Sequence, residues 1–422
     1  MAEQQTTMAV NCLSCGAELE YDPTKGLLHC EFCDSEFTAE EIDEYYKKKE
    51  EKAAEDSTDS GLQSSEDNGE WGADAADMRA YSCSACGAEL IAEENTAAMI
   101  CPYCGNSTIV PAQFSGAVRP QYVIPFAFTK AQAESSYKNY YKSKKLLPKS
   151  FESSNHIEDI QGVYVPFWLF DGVSEIDSQY KAYDKKETQN EIIKTHYDVH
   201  RHGTVEFERV PADASVRMPD DLMDSIEPYR FDGLKEFSMA YMPGFLAERF
   251  NVSEQEDVKR AKDRIENTTK SLARQTVKHD SVSAVSENVK VDFKNTTYAM
   301  LPVWYLVTKW NNETYKFAMN GQTGEFIGDL PIDSGKMALR VIITAIIVGV
   351  IAYLLCADPM ITIIAAIIAG AISGATGYAS MKPVSKKTQA IEYIKQNIKL
   401  SSSTDNFVRT EHIRKENRQQ QS

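Results

Sequence analysis

The sequence predicts a multidomain chain: two small β units built around cysteines, then an α+β central domain, then a C-terminal α-helical hairpin of membrane-spanning length. Three observations predict it. Eight of the nine cysteines fall into four C-x2-C pairs. Aromatic and β-branched runs such as QYVIPFAF, QGVYVPFWLF and YAMLPVWYLVTKW fill the middle of the chain. Two adjacent uncharged apolar runs, residues 341–357 and 360–379, stand near its end.

At 422 residues the chain exceeds what one hydrophobic core organises. The formal charge of −17 is unevenly spread. Residues 380–422 hold nine Lys/Arg against four Asp/Glu, a net +5, and Arg340 offsets Asp358, which leaves −22 on residues 1–337. An acidic body repels a phosphate backbone at long range, so nucleic acid is a disfavoured partner and is kept as the alternative. The opening MAEQQTTMAVNC has no basic region followed by an apolar one, so no secretory signal is expected and the thiols should sit in a reducing cytoplasm.

Sliding the sequence against itself by 71 residues superposes Cys12, Cys15, Gly16, Ala17, Glu18, Leu19, Cys30 and Cys33 on Cys83, Cys86, Gly87, Ala88, Glu89, Leu90, Cys101 and Cys104. Each copy has 14 residues between its inner cysteines and an aromatic residue, Phe32 or Tyr103, inside the second pair. Four thiolates about 2.3 Å from one ion meet the tetrahedral preference of zinc, and the metal replaces a core in a unit too small to have one. The sequence therefore predicts two structural Zn2+ sites, in ribbons at 10–37 and 81–110, with iron as the alternative metal. With all four positions taken by protein, a structural role is favoured over catalysis. Redox C-x-x-C chemistry would need a βαβ setting that the pattern lacks. Between the ribbons, residues 38–80 read as an acidic flexible linker.

The two units resemble zinc ribbons of the TFIIB type. The whole chain, from CLSCGAEL through MPGFLAERF and LPVWYLVTKWNNETYKFAMNGQTGEFIGDLP to the apolar hairpin, resembles bacterial TFIIB-type zinc ribbon-containing membrane proteins. Some of that group are called primosomal helicase-like. This chain has no G-x-x-x-x-G-K-[ST], and SGK at 334–336 lacks the upstream glycine, so no helicase motor is expected.

Residues 119–336 read as one α+β, aromatic-rich body. VPFWLF at 165–170 matches LPVWYL at 301–306, each followed after a polar, hairpin-like stretch by Tyr-Lys at Tyr180 and Tyr315, which suggests two related β units. The proline inside each run argues for an edge strand or a bulge. Asn320-Gly321 and Thr323-Gly324 are turn chemistry. Ser253 and Glu256 form a capping box before a helix whose stripe is Val258, Ala261, Ile265 and Leu272, and residues 129–147 give a second helix capped by Thr129. His196, His200 and His202 share one strand face, with no fourth ligand fixed by spacing, so a polar face is preferred to a metal site. Trp168, Trp304 and Trp310 read as core.

The apolar runs at 338–379 predict two antiparallel spans turning at Asp358-Pro359, with Ala366, Gly370 and Gly374 as a small-residue face and Arg340 reaching for headgroups. Lys336, Arg340, Lys382, Lys386 and Lys387 place both flanks, hence both termini, in the cytoplasm. The remaining 380–422 segment is expected as a basic cytoplasmic tail, with an amphipathic helix bearing Ile391, Ile394 and Ile398 or simply solvated. The expected function is a non-enzymatic adaptor held on the lipid bilayer, presenting its ribbons to a cytoplasmic protein partner.

Overall fold

The computed structural model describes residues 10–56, 78–83, 89–93, 109–112, 118–153, 159–356, 358–382 and 386–414. The chain opens with β1 (Val10–Asn11), β2 (Glu18–Asp22), β3 (Leu27–His29), β4 (Glu36–Phe37) and α1 (Ala39–Asp56). It continues through β5 (Met78–Cys83), β6 (Glu89–Glu93), β7 (Ile109–Ala112), β8 (Tyr122–Val123), α2 (Lys130–Lys142) and α3 (Lys149–Ser153). Two long strands follow, β9 (Gln161–Glu187) and β10 (Glu191–Asp213), then α4 (Asp220–Ser225), β11 (Lys235–Glu236), β12 (Leu246–Glu248) and α5 (Glu254–Gln275). The last elements are β13 (Ser281–Trp310), β14 (Glu313–Asn320), β15 (Phe326–Gly328), α6 (Ser334–Cys356), α7 (Pro359–Met381) and β16 (Ile394–Arg414).

These elements form two compact units. One comprises residues 1–166, 215–251 and 299–386, and the other 167–214, 252–298 and 387–422. The single body expected over 119–336 is therefore divided, because β9 and β13 are long enough to serve both units in turn. The expected linker at 38–80 also differs from what is found: residues 39–56 are α1.

The repeated VPFWLF and LPVWYL segments occupy equivalent places. In β9, Val163 and Tyr164 pair in parallel with β12, Pro166 follows, and from Phe167 onward the strand pairs antiparallel with β10. In β13, Ala299 and Met300 pair in parallel with β8, Pro302 follows, and from Val303 the strand pairs antiparallel with β14. Each proline sits where its strand changes partner, a place where a missing donor leaves the ladder intact. Neither strand is an edge, which corrects that part of the expectation. The likeness extends to β8 with the Thr129–Gln132 box before α2 and β12 with the Ser253–Glu256 box before α5, at the same spacing. Each half lends its short strand to the other half's long one. Tyr180 and Tyr315 are not equivalent, since Tyr180 lies within unbroken β9 whereas Tyr315 follows a two-residue turn at Asn311 and Asn312. Both asparagines have positive φ, at 50° and 64°, as a primed hairpin turn demands.

The core of the first unit is aromatic. Phe126 stacks on Phe245 at 3.9 Å between centroids, with Tyr164 at 4.9 Å and Trp304 at 5.2 Å from Phe126, edge-on. Buried Trp304 fits the core expectation, while Trp168 and Trp310 are half-exposed.

In the second unit β9, β10 and β16 lie side by side, antiparallel. The basic tail and amphipathic helix expected over 380–422 are replaced here by β16, whose 21 residues pair with β10 from Glu191 to Phe207. α5 turns Ala261, Ile265, Thr268, Thr269, Leu272 and Ala273 inward. Fully buried Arg264 donates to Pro211 O at 2.8 Å, and Thr268 Oγ1 accepts from Ala390 N at 2.7 Å, which pins the start of the C-terminal segment onto the helix. His196, His200 and His202 do share the outer face of β10. Their Nε2 atoms lie within hydrogen-bond reach of Glu411 (3.1 Å), Asp177 (2.9 Å) and Glu175 (3.1 Å) respectively, so each imidazole has a carboxylate partner of its own.

α6 and α7 are long and apolar enough to cross a membrane, with mean hydropathy 2.5 and 1.9 over their most apolar windows. They pack antiparallel on small residues. A Cβ on Gly370 would lie 3.4 Å from Val341, one on Gly374 3.5 Å from Val341, and one on Gly349 3.5 Å from Ala366. Outward-facing Ile346, Leu354, Leu355 and Ile367 are more than half exposed. Asp358 accepts from Met360 N at 2.8 Å and caps α7, with Pro359 at its first position. Arg340 does more than reach outward, since its Nε and Nη2 each donate at 3.3 Å to Ser373 and Thr376 of α7.

Candidate metal centre

The first cysteine unit is built from two turns that repeat one another. After Cys12-x-x-Cys15, Gly16 takes φ +77° and its N–H donates to Cys12 O at 2.9 Å. After Cys30-x-x-Cys33, Asp34 takes φ +61° and its N–H donates to Cys30 O, also at 2.9 Å. A positive φ is what folds each pair back on itself, so glycine serves at the first knuckle and aspartate, one of the few tolerant side chains, at the second. The antiparallel run β1–β2–β3–β4 carries one knuckle before β2 and the other between β3 and β4.

This brings Cys12, Cys15, Cys30 and Cys33 together, with all four Sγ atoms within 4.8 Å of one another. Cys12 Sγ lies 3.5 Å from Cys33 Sγ, and Cys15 Sγ 3.6 Å from Cys30 Sγ. Thiolates about 2.3 Å from a tetrahedral ion would stand roughly 3.8 Å apart, so the donor set fits one metal ion of zinc's size with little movement. Cys12 and Cys30 are buried and Cys15 and Cys33 exposed. The outer partners were not signalled by the cysteine spacing. Ser35 Oγ lies 3.2 Å from Cys33 Sγ, and this hydroxyl, followed by the Ser35 N–H, lowers the Cys33 thiol to about 6. Ser14 N–H donates to Cys12 Sγ at 3.4 Å. Such groups favour thiolate over thiol, as metal binding requires.

Of the second set, Cys86, Cys101 and Cys104 and the side chain of Cys83 lie outside the described residues. The strands around them follow the first unit in register. β1–β2 pairs Val10 with Leu19 and Asn11 with Glu18, and β5–β6 pairs Tyr81 with Leu90 and Ser82 with Glu89, each 71 positions on.

The cysteine units also engage the first unit's core, which their sequences did not signal. Buried Tyr21 meets Tyr241 at 5.7 Å and Phe245 at 6.5 Å, and Ser238 Oγ donates to Asp43 at 2.7 Å. β6 pairs with β12 through Leu90–Glu248 and Ile91–Ala247. What stays open at the first knuckle pair is Phe32, 83% exposed between Cys30 and Cys33.

No family model matches the chain, and no solved structure matches it. Over 242 residues it is 35% identical to a Bacillus subtilis protein named "Uncharacterized protein YdjG", a stretch that covers 55% of this chain and 70% of the relative. That identity across more than two thirds of the relative places the chain in the same family as YdjG.

Proposed function

We propose that the chain is a membrane-anchored zinc-ribbon protein of TFIIB type, acting without catalysis as a cytoplasmic adaptor for protein partners. Two structural Zn2+ ions would be held by Cys12, Cys15, Cys30 and Cys33 and by Cys83, Cys86, Cys101 and Cys104. α6 and α7 would span the bilayer, with both termini in the cytoplasm. The observation that carries the adaptor reading is Phe32, a large apolar side chain held exposed at the tip of a four-thiolate cluster. A closed thiolate set offers no coordination position for substrate, so what it can present is shape. An exposed aromatic on a rigid turn is the kind of anchor that protein interfaces bury.

Capture from detergent-solubilised membranes tests this with the full chain and its Phe32→Ser variant. The adaptor reading expects a partner that is retained by the native protein and lost from the variant, with zinc content equal in the two. Identical captures, or steeply salt-dependent DNA binding by the native protein, would favour the nucleic-acid alternative.

A further inference from the structure

We propose that the first unit carries its own lipid-headgroup platform, a collar of Lys142, Lys145, Lys149 and Lys309 with Trp310 at the base of the apolar hairpin, which docks on the anionic surface of the bilayer. The inference rests on the membrane reading of α6 and α7 and extends it to residues far from them in sequence. α2 ends at Lys142, and the loop after it is fastened to both hairpin helices. Leu146 O accepts from Asp333 N at 2.9 Å, and Leu147 O accepts from Lys336 Nζ at 2.6 Å, at the start of α6. Lys144 Nζ donates to Ser380 O at 2.7 Å near the end of α7, and Leu146 lies 3.2 Å from where a Gly377 Cβ would stand. With Leu146 and Leu147 turned inward, Lys142, Lys145 and Lys149 are left exposed beside the point where the hairpin leaves the body.

The same end of the unit gains a second basic and aromatic element through α3. Buried Phe151 packs edge-on against Trp310 at 5.9 Å and Tyr315 at 5.4 Å. That contact brings the β13–β14 turn alongside the collar, with Lys309 exposed and Trp310 half-exposed. The turn borders a cleft of about 350 Å³ lined by Lys309, Trp310, Asn311, Asn312 and Thr314. An ammonium, two amides and a hydroxyl are the donors a phosphodiester oxygen accepts from, and a tryptophan beside them suits the headgroup level of a bilayer.

Among the described residues, three carboxylates of the same unit have partners of their own. Asp329 pairs with Lys382 at 3.8 Å, Asp333 accepts from Lys336 N at 3.0 Å, and Glu313 accepts from Tyr315 Oη at 2.6 Å. Residues 1–337 carry −22, and such a body is repelled by anionic lipid unless a basic face stands between them.

The full-length protein, reconstituted into vesicles of phosphatidylcholine alone or mixed with phosphatidylglycerol, tests the platform. Carbonate extraction reads whether the hairpin is inserted, and a membrane-impermeant amine reagent reads the lysines. In the anionic vesicles the reaction rates of Lys142, Lys145 and Lys149 should each fall about fivefold, with the protection lost at high salt. Quenching of tryptophan emission by brominated lipid should be deeper in the same vesicles and should lose that increment in Trp310→Phe. Equal lysine rates in both vesicle types, with the hairpin inserted, would overturn the platform and leave the anchoring intact. Extraction of the protein by carbonate would overturn both.

Discussion

Cys30 is fully buried and its Sγ stands 3.6 Å from that of Cys15, so a serine there keeps the shape of the turn but removes one thiolate from the cluster. Cys30→Ser should therefore lower the zinc content by one ion per chain, with an affinity loss beyond the roughly 10–100-fold that removing an outer partner costs. Metal analysis of the purified protein checks this; unchanged stoichiometry would mean the cluster is not a zinc site. In the second unit, Asp405 is held below the ordinary carboxylate range, first by its hydrogen bond from Arg201 and further by the positive field of Arg201 and His279. A carboxylate whose folded pKa lies below its unfolded value of about 3.9 stabilises the fold above that value and loses the contribution as pH falls through the folded pKa. Acidification should accordingly loosen β16 on β10 around Asp405, seen as lower amide protection near 403–407 once the intrinsic pH dependence of exchange is divided out, and Asp405→Asn should flatten that dependence. These cysteines were legible because metal geometry fixes ligand spacing along the chain. Ser35 and Asp34 were not, since their roles come from a turn that only the fold reveals.

Elements were readable where local chemistry determines them. The caps at Thr129 and Ser253 mark α2 and α5, and both boxes are formed. Glu256 is held below its usual range by the Ser253 N–H and then its hydroxyl, which is that box seen electrostatically. Ser253→Ala should cost about 1 kcal/mol, measurable as lowered protection of the first turn of α5 in hydrogen exchange. The apolar hairpin was legible from length alone, and its small residues face the partner helix as their spacing implied. There, Gly370→Leu should splay α6 from α7, because even a Cβ at 370 stands 3.4 Å from Val341; cross-linking between cysteines placed at Gly349 and Ala366, whose Cβ atoms would stand 3.5 Å apart, would drop. β16 was misread because Ile391, Ile394 and Ile398 satisfy a helical period as well as a strand's edge, and short apolar patterns do not separate the two. What decides is the long partner β10, almost two hundred residues away. The prolines at 166 and 302 were misread for a related reason: a strand that changes neighbours midway has an interior place for proline, and no local signal announces it.

At the scale of the whole molecule, the duplicated cysteine units were visible as a 71-residue repeat, whereas their attachment was not. An independent ribbon would lose structure alone on chelation. Tyr21 packed on Tyr241 and Phe245 makes the first ribbon part of a larger core, so removing its metal should disturb residues 238–248 together with 10–37. Hydrogen exchange before and after chelation distinguishes these outcomes. The swapped pairing of β8 with β13 and β12 with β9 also went unseen in sequence, because it depends on which strands meet.

The measurement closest to the central claim is a cysteine-labelling scan in unbroken cells with a membrane-impermeant maleimide, on a Cys356→Ser background. A membrane-anchored cytoplasmic adaptor predicts strong labelling of Asp358→Cys, at the turn between the two apolar helices, and none of Lys48→Cys on α1 or Thr410→Cys on β16 until the cells are lysed. Labelling of Lys48→Cys before lysis would put the thiolate cluster outside, where oxidation competes with metal, and would contradict the account.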